Sequence, residues 1–244
     1  QALSVTALAF DGGDLVVARG SEVQRLAVNG KWNPLPAPGA TPVLALATHV
    51  GRPGLVVAGL ASGAVAVSVG GGRNWEDRSS GLPGGRVAAL TVAATKPETF
   101  YASVLGDGLW RSEDEGRTWS LAMDRPWLNE QEQDVVALAS VELATGMGGI
   151  WIYAGTNVGL TRVPDCFCRW QDVQPGDAMD ALASGGAPKS AAPLPKGEIV
   201  QALVSAPAKP GNQRTREWCG RASSQDAVRR SPFTPRTLPM SSPK

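Results

Sequence analysis

The chain has 244 residues, with 23 Lys and Arg against 22 Asp and Glu, so its net charge is close to +1. This balance argues against a general attraction to nucleic acid or to an anionic membrane, and no apolar run of about 18 residues predicts a transmembrane segment. Gly and Pro make up about a fifth of the residues, which is typical of many short strands joined by turns.

Four similar units follow one another along the chain, and each contains three short apolar strands. In chain order they are SVTALAF, DLVVARG and EVQRLAV, then PVLALAT, GLVVAGL and AVAVSVG, then RVAALTV, TFYASVL and GLWRSED, and finally DVVALAS, IWIYAGT and GLTRVPD. Alternating apolar residues between Gly, Asn and Asp turns favour β-strands over helices.

A tryptophan follows the third strand of each unit and is predicted to begin a fourth. Trp32, Trp75, Trp119 and Trp170 are separated by 43, 44 and 51 residues. Four strands in a repeat of this length are typical of one blade of a β-propeller. The sequence therefore predicts an all-β fold with four-stranded blades at residues 1–40, 41–84, 85–131 and 132–196.

A partial fifth blade is predicted at residues 197–210, because GEIVQALVSAPAKP matches the opening strand of the other units. The predicted propeller thus covers residues 1–210. Residues 211–244 are rich in Arg, Ser and Pro, which predicts an irregular or disordered tail. One further hypothesis is a shifted reading frame, since an offset reading of codons for residues 221–224 could give Gly-Leu-Phe.

The turn SEDEGRTW at residues 112–119 resembles the Asp-box, or bacterial neuraminidase repeat, whose pattern is Ser-x-Asp-x-Gly-x-Thr-Trp. The matching residues are Ser112, Asp114, Gly116, Thr118 and Trp119. Eroded copies precede the other three tryptophans. The chain is therefore similar to Asp-box β-propellers, which include sialidases, xyloglucan-directed glycoside hydrolases, sortilin-type receptors and photosystem II assembly factors.

The acidic residues of this turn are interpreted as structural. We expect Asp114 to accept hydrogen bonds from its own turn, Gly116 to adopt a positive φ, and Trp119 to bury its ring beneath the hairpin. The resemblance implies a position at the blade periphery, away from any active site. A hard-cation site formed with Glu113 and Glu115 lacks the ligand spacing of a calcium loop, so no metal is predicted.

Catalytic residues are not identified. A sialidase would need a Tyr nucleophile, but Tyr101 and Tyr153 lie in apolar strands, where core positions are expected, and the Phe/Tyr-Arg-Ile-Pro stretch is missing. A glycosidase would need two carboxylates about the scissile bond. The candidates near strand ends are Asp11, Asp14, Asp107 and Asp134. His49 is the only histidine and is expected to be a solvated loop residue.

Cysteines and glycine-rich turns predict no cofactor. Cys166 and Cys168 lack the spacing of a zinc site and lie too close in sequence to form an ordinary disulfide easily. Cys219 leaves an odd thiol, so the redox compartment stays open. The glycines at 70–72 and 84–85 are predicted hairpin turns, since no phosphate-loop Lys-Ser/Thr follows them.

The predicted function is a non-catalytic propeller scaffold that binds a protein or glycan partner through loops at the blade tops. Two alternatives are a truncated glycoside hydrolase of the sialidase or xyloglucanase kind and a photosystem assembly factor. Neither Met nor a leader precedes Gln1, so either a signal segment was removed, as expected of an extracytoplasmic protein, or the numbering does not start at the natural first residue. Because related propellers have six or seven blades, we expect an unusual small ring, or an open one completed by oligomerisation or a partner subunit.

Overall fold

The computed structural model describes residues 4–142, 149–173 and 197–205 and the backbone of residues 217–218. The regular secondary structure of these residues is entirely β. Within them, no helix is long and apolar enough to cross a membrane.

Four antiparallel sheets of four strands form the blades. The first contains β1 (Ala7–Asp11), β2 (Asp14–Arg19), β3 (Glu22–Leu26) and β4 (Trp32–Leu35), and the second contains β5 (Val43–Thr48), β6 (Val56–Leu60), β7 (Val65–Ser68) and β8 (Glu76–Asp77). The third contains β9 (Val87–Ala93), β10 (Lys96–Val104), β11 (Gly108–Ser112) and β12 (Ser120–Met123). A separate hairpin follows, with β13 (Trp127–Leu128) and β14 (Gln131–Glu132). The fourth blade contains β15 (Val135–Glu142), β16 (Ile150–Thr156), β17 (Leu160–Pro164) and β18 (Gln171–Asp172).

Strand order within every blade follows the sequence, and each strand pairs antiparallel with the next from the first to the fourth. This confirms the predicted four-stranded units. The fourth strand begins at the repeat tryptophan only in the first blade, and one residue after it in the others. The β13–β14 hairpin was not predicted, because two-residue strands carry no alternation pattern.

The fifth unit contributes β19 (Val204–Ser205), which pairs with β20 (Glu217–Trp218). The strand β20 lies within the predicted tail of residues 211–244. The remainder of that tail, including Cys219 and the proposed frame-shift position, lies outside the described residues. So do residues 174–196, at the end of the predicted fourth blade.

The first strands of successive blades lie side by side: β1 contacts β5, β5 contacts β9, β9 contacts β15, and β15 contacts β19. Each blade thus has a leading face, toward the preceding blade, and a trailing face, toward the next. In the third blade, the leading-face residues Val87 and Leu90 are 0% and 5% exposed and pack with Ala45 and Val57 of the second. The core is therefore divided among the spaces between blades.

Glycine permits the close approach at two of these contacts. A Cβ on Gly59 would lie 2.6 Å from Val87 Cγ1, and a Cβ on Gly155 would lie 2.7 Å from Val200 Cγ1. Val200 of the fifth unit thus meets the fourth blade as Val87 meets the second.

The repeat tryptophans lock each blade to the one before it. The indole N–H of Trp75 donates to Pro36 O at 2.9 Å, that of Trp119 to Arg78 O at 2.8 Å, and that of Trp170 to Asp124 O at 3.1 Å. The ring of Trp119 is buried, at 6% exposed, in the cluster between the second and third blades, where its centroid lies 6.5 Å from that of Phe100 of its own blade.

The antiparallel strand order separates two ends of the molecule. Turns between second and third strands, together with the connections between blades, lie at the upper end. Turns between first and second strands and between third and fourth strands lie at the lower end.

Candidate functional site

The lower-end turn at residues 112–119 is organised by hydrogen bonds. Ser112 Oγ donates to Asp114 Oδ1 at 2.8 Å, while Thr118 donates to Asp114 through its backbone N–H at 2.9 Å and its hydroxyl at 2.7 Å. Gly116 has φ +86° and donates its N–H to Ser112 Oγ at 2.8 Å. Partial burial opposes the charge of Asp114, but the Thr118 and Ser112 donors lower its pKa to about 2.

The neighbouring carboxylates of this turn face separate arginines. Glu115 pairs with Arg52 and, at 3.3 Å, with Arg78, both in the second blade, and Glu113 pairs with Arg111 of its own strand. Arg52 holds the pKa of Glu115 below its ordinary value. Within the described residues, no group of three His, Cys, Asp or Glu side chains converges as a metal site.

The corresponding turns of the second and fourth blades are built differently. In the second, Ser68 Oγ accepts N–H bonds from Gly70 at 3.2 Å and Gly72 at 2.9 Å. In the fourth, Cys166 and Cys168 form a disulfide, which corrects the expectation that they lie too close. Phe167 has φ +52°, so the chain turns between them and their Cα atoms lie 5.5 Å apart, within the usual disulfide range.

Two of the glycosidase candidates, Asp11 and Asp14, lie together at the lower end of β1 and β2. Arg25 separates them by donating to Asp11 Oδ2 at 2.6 Å and to Asp14 Oδ2 at 3.0 Å. Asp11 Oδ1 also accepts the N–H of Gly54 at 2.8 Å, which ties the first blade to the second. The Arg25 hydrogen bond lowers the pKa of Asp14, which is the opposite of what a general acid requires.

His49 is engaged rather than merely solvated, which corrects its prediction. Its Nδ1 accepts the N–H of Gly51 at 3.1 Å, and its Nε2 lies 3.0 Å from Ala94 O in the next blade. These partners fit the tautomer protonated at Nε2. The residue therefore ties two lower-end turns together.

Both tyrosines lie in the core, as predicted. Tyr101 is 0% exposed and Tyr153 is 4% exposed. Burial raises the pKa of Tyr101 to about 12. A buried, neutral phenol has no access to a substrate, so neither ring is placed as a nucleophile.

At the upper end, the β13–β14 hairpin presents an exposed indole. Trp127 is 68% exposed, the most exposed aromatic side chain of the described residues. Asn129 and Glu130 form the tip with φ +49° and +62°. The ring thus projects from a tight turn into solvent.

Salt bridges hold the base of this hairpin. Arg125 pairs with Glu132 on β14 and lies 3.4 Å from Asp134 Oδ1, while Gln133 N–H donates to Pro126 O at 2.9 Å. Asp134 also accepts the N–H of Gly106, next to Asp107, at 2.8 Å. This bond places Asp134 beside the turn that contains Asp107.

Sequence reasoning missed Trp127 because it searched for tryptophans in the repeat. The signal available in the sequence was that Trp127, in PWLNEQ, lies between two units and does not match the spacing of the repeat tryptophans. Trp127 lies in the connection between the third and fourth blades, outside the strands that form the inter-blade core.

Comparisons with known proteins identify the fold. Neither a protein-family model nor a curated protein matches the sequence. The structure is similar to the GH74 enzyme of Niastella koreensis, with a TM-score of 0.56 and 19% identity over 72% of this chain and 30% of that one. The GH74 xyloglucanase of Xanthomonas campestris gives 0.52 and 19%, over 71% and 31%.

A third similar structure is the Cps50 (Swd1) β-propeller domain of Myceliophteria thermophila, with a TM-score of 0.52 and 14% identity over 71% of this chain and 56% of that domain. The chain spans less than a third of the two GH74 proteins. At these identities the likeness is one of fold, and the predicted all-β propeller of four-stranded blades is confirmed.

Proposed function

We propose that the protein is a non-catalytic propeller scaffold that binds a β-glucan-type glycan at its upper end, with Trp127 as the stacking platform. The carrying observation is the 68% exposure of Trp127 on a hairpin braced by Arg125. An indole face suits the C–H face of a sugar ring, and nearby polar groups can bond its hydroxyls. Gln131 and Glu132 on β14 supply such groups beside the ring.

The bracing supports binding because a rigid aromatic side chain loses little conformational entropy when a ligand docks. The neighbouring GH74 xyloglucanase acts on xyloglucan by its name, which makes that polymer the first glycan to test. We further propose that the chain is related to Asp-box propellers, supported by the hydrogen bonds around Asp114. The exposed Cys166–Cys168 disulfide supports an extracytoplasmic location.

Titration calorimetry with xyloglucan-derived oligosaccharides tests this function. We expect the unmodified protein to bind and the Trp127→Ala variant to bind at least roughly tenfold more weakly, since a central aromatic contact contributes about 1–2 kcal/mol or more. Trp32→Ala is the matched control, because Trp32 is also exposed, at 44%, but lies at the lower end. Equal affinity of Trp127→Ala and the unmodified protein, or no binding of any β-glucan, would contradict the proposal.

Hydrolysis of the same glycan is the second candidate, because Asp134 accepts the N–H of Gly106 and so lies beside the turn that contains Asp107. Arg125 Nη1 lies 3.4 Å from Asp134 Oδ1, so this carboxylate already has an ion-pair partner on the protein. Incubation with xyloglucan, followed by measurement of new reducing ends, separates the two. Products that disappear in Asp107→Asn and Asp134→Asn would establish the hydrolase instead.

A further inference from the structure

The turn that carries the disulfide of the fourth blade lies at the surface. Cys166 and Cys168 are both exposed, and their disulfide closes a loop of only three residues. A thiolate from solution can attack an accessible disulfide, whereas a buried disulfide is protected. The bond between Cys166 and Cys168 is therefore open to exchange in the folded protein.

The residue between the two cysteines has an unusual backbone conformation. Phe167 has φ +52°, in the left-handed region that aromatic residues seldom adopt. Its N–H donates to Pro164 O at 2.8 Å, and the disulfide closes the turn around it. Because reduction removes this covalent constraint, it leaves Phe167 free to return to an ordinary backbone conformation.

The ring of Phe167 covers two polar groups of the third blade. Its centroid lies 5.7 Å from that of the Tyr101 ring and 5.8 Å from Cζ of Arg111. Tyr101 Oη and Arg111 Nε are both buried, and neither has a hydrogen-bond partner among the described residues. Buried polar atoms without partners destabilise the arrangement that keeps them from water. Both groups would therefore gain hydrogen bonds with water if the ring moved away.

We propose that the Cys166–Cys168 disulfide is a thiol–disulfide exchange site for a dithiol, and that its reduction releases Phe167 from the third blade. One thiolate of the dithiol attacks a cysteine sulfur, which forms a mixed disulfide and expels the other cysteine as a thiolate. The second thiol of the dithiol then attacks the mixed disulfide, so the dithiol is oxidised to a disulfide. Its two protons end on Cys166 and Cys168, which become thiols.

Reduction of the folded full chain tests the exchange, in a Cys219→Ser background so that only the proposed pair reacts. Dithiothreitol and thioredoxin serve as a small and a protein dithiol, and iodoacetamide labelling with peptide mapping detects each free thiol. We expect dithiothreitol to reduce the pair at a rate within roughly tenfold of its reduction of oxidised glutathione. Labelling before any reductant is added, or only in urea, would overturn the exchange site.

The two reductants also identify the kind of dithiol. A higher rate with thioredoxin, at equal thiol concentration, assigns a protein dithiol as the partner, and an equal or lower rate assigns a small one. Failure of both to reduce the folded protein would overturn the proposal.

Acetylation by N-acetylimidazole, after iodoacetamide has blocked the thiols, tests the release of Phe167. Reduction should raise the acetylation of Tyr101 at least roughly tenfold, because the reagent reaches its hydroxyl once the ring moves. Tyr153 is the internal control, since it is 4% exposed and its hydroxyl accepts a hydrogen bond from Arg162 at 3.2 Å. Equal acetylation of Tyr101 in both redox states would overturn the release, and a rise at Tyr153 as well would show general unfolding instead.

Two variants separate the disulfide from the ring. Cys166→Ser/Cys168→Ser should show high acetylation of Tyr101 with and without dithiothreitol, because its turn cannot close. Phe167→Gly should do the same with the disulfide intact, because glycine adopts a positive φ readily and carries no ring. Low acetylation in the first variant would contradict the role of the disulfide, and in the second that of the ring. Trp127 lies on the upper-end hairpin, so none of these measurements depends on glycan binding.

Discussion

The lower-end turns of the third and fourth blades both position a repeat tryptophan, but different interactions stabilise them. In the third, Asp114 collects hydrogen bonds from Ser112 and Thr118. In the fourth, a disulfide between Cys166 and Cys168 closes the turn. Both turns deliver an indole to a carbonyl of the preceding blade, at 2.8 and 3.1 Å. The inter-blade lock is therefore the common feature, and the turn chemistry is one of several ways to position it.

The surroundings of the two turns differ as well. Glu115 extends the third-blade turn to Arg52 and Arg78 of the second blade. In the fourth-blade turn, Phe167 packs on Tyr101 of the third, with ring centroids 5.7 Å apart. A polar network thus supports one turn and an aromatic contact supports the other, which makes their responses to acid and to reductant distinguishable.

The largest expected effect on stability is at Trp119, whose indole joins the third blade to the second. Trp119→Ala should lower the free energy of unfolding by about 3–5 kcal/mol, because a buried ring and its hydrogen bond are lost together. Trp32→Ala should cost roughly 0.5 kcal/mol or less, because Trp32 is already 44% exposed. Urea denaturation followed by circular dichroism measures both. Equal losses would show that the inter-blade contact is not the source of the effect.

An intermediate effect is expected at Asp114. Asp114→Ala should cost about 1–3 kcal/mol, since Thr118 and Gly116 lose an organised turn. The exposed Asp107, changed to Ala, is the control and should change stability by about 0.5 kcal/mol or less.

The pH dependence of stability gives a second test of the role of Asp114. The pKa of Asp114 falls from 3.8 to about 2 in the folded protein, so its contribution is present above pH 3.8 and is lost as the pH falls through about 2. Unfolding midpoints measured from pH 5 downwards should decline less steeply in Asp114→Asn than in the unmodified protein. Parallel declines would remove Asp114 as a source of acid sensitivity.

The smallest effect is expected at the fourth-blade turn. Closing a loop of three residues restricts the unfolded chain modestly, so Cys166→Ser should cost roughly 1.5 kcal/mol. Dithiothreitol should lower the stability of the unmodified protein by a similar amount and leave that of Cys166→Ser unchanged. If dithiothreitol also lowers the stability of Cys166→Ser, the reductant acts on a group other than this disulfide.

Much of the fold could be predicted from the sequence because its signals are local. The spacing of Trp75, Trp119 and Trp170 and the alternation within β5, β9 and β15 report the strand period directly. The direction in which Trp119 packs could not be predicted, since Arg78 O lies 41 residues away in sequence. Pairing of Cys166 with Cys168 depended on the positive φ of Phe167, which an aromatic residue seldom adopts.

The candidate site was less predictable than the fold. Asp114 was identified from its motif, and its hydrogen bonds lie within five residues of it. Trp127 was not, because its importance arises from exposure and from bracing by Arg125, and neither is encoded in a repeat. The carboxylates near strand ends were recognised as residues, but Arg25 between Asp11 and Asp14 emerges only when the strands pair.

Every locking indole reaches toward residues that are earlier in the chain: Trp75 to Pro36, Trp119 to Arg78 and Trp170 to Asp124. During synthesis on the ribosome, each blade therefore emerges beside a template that has already been translated. Folding can therefore proceed from the amino-terminal end, because none of these three indoles depends on a segment that is translated later.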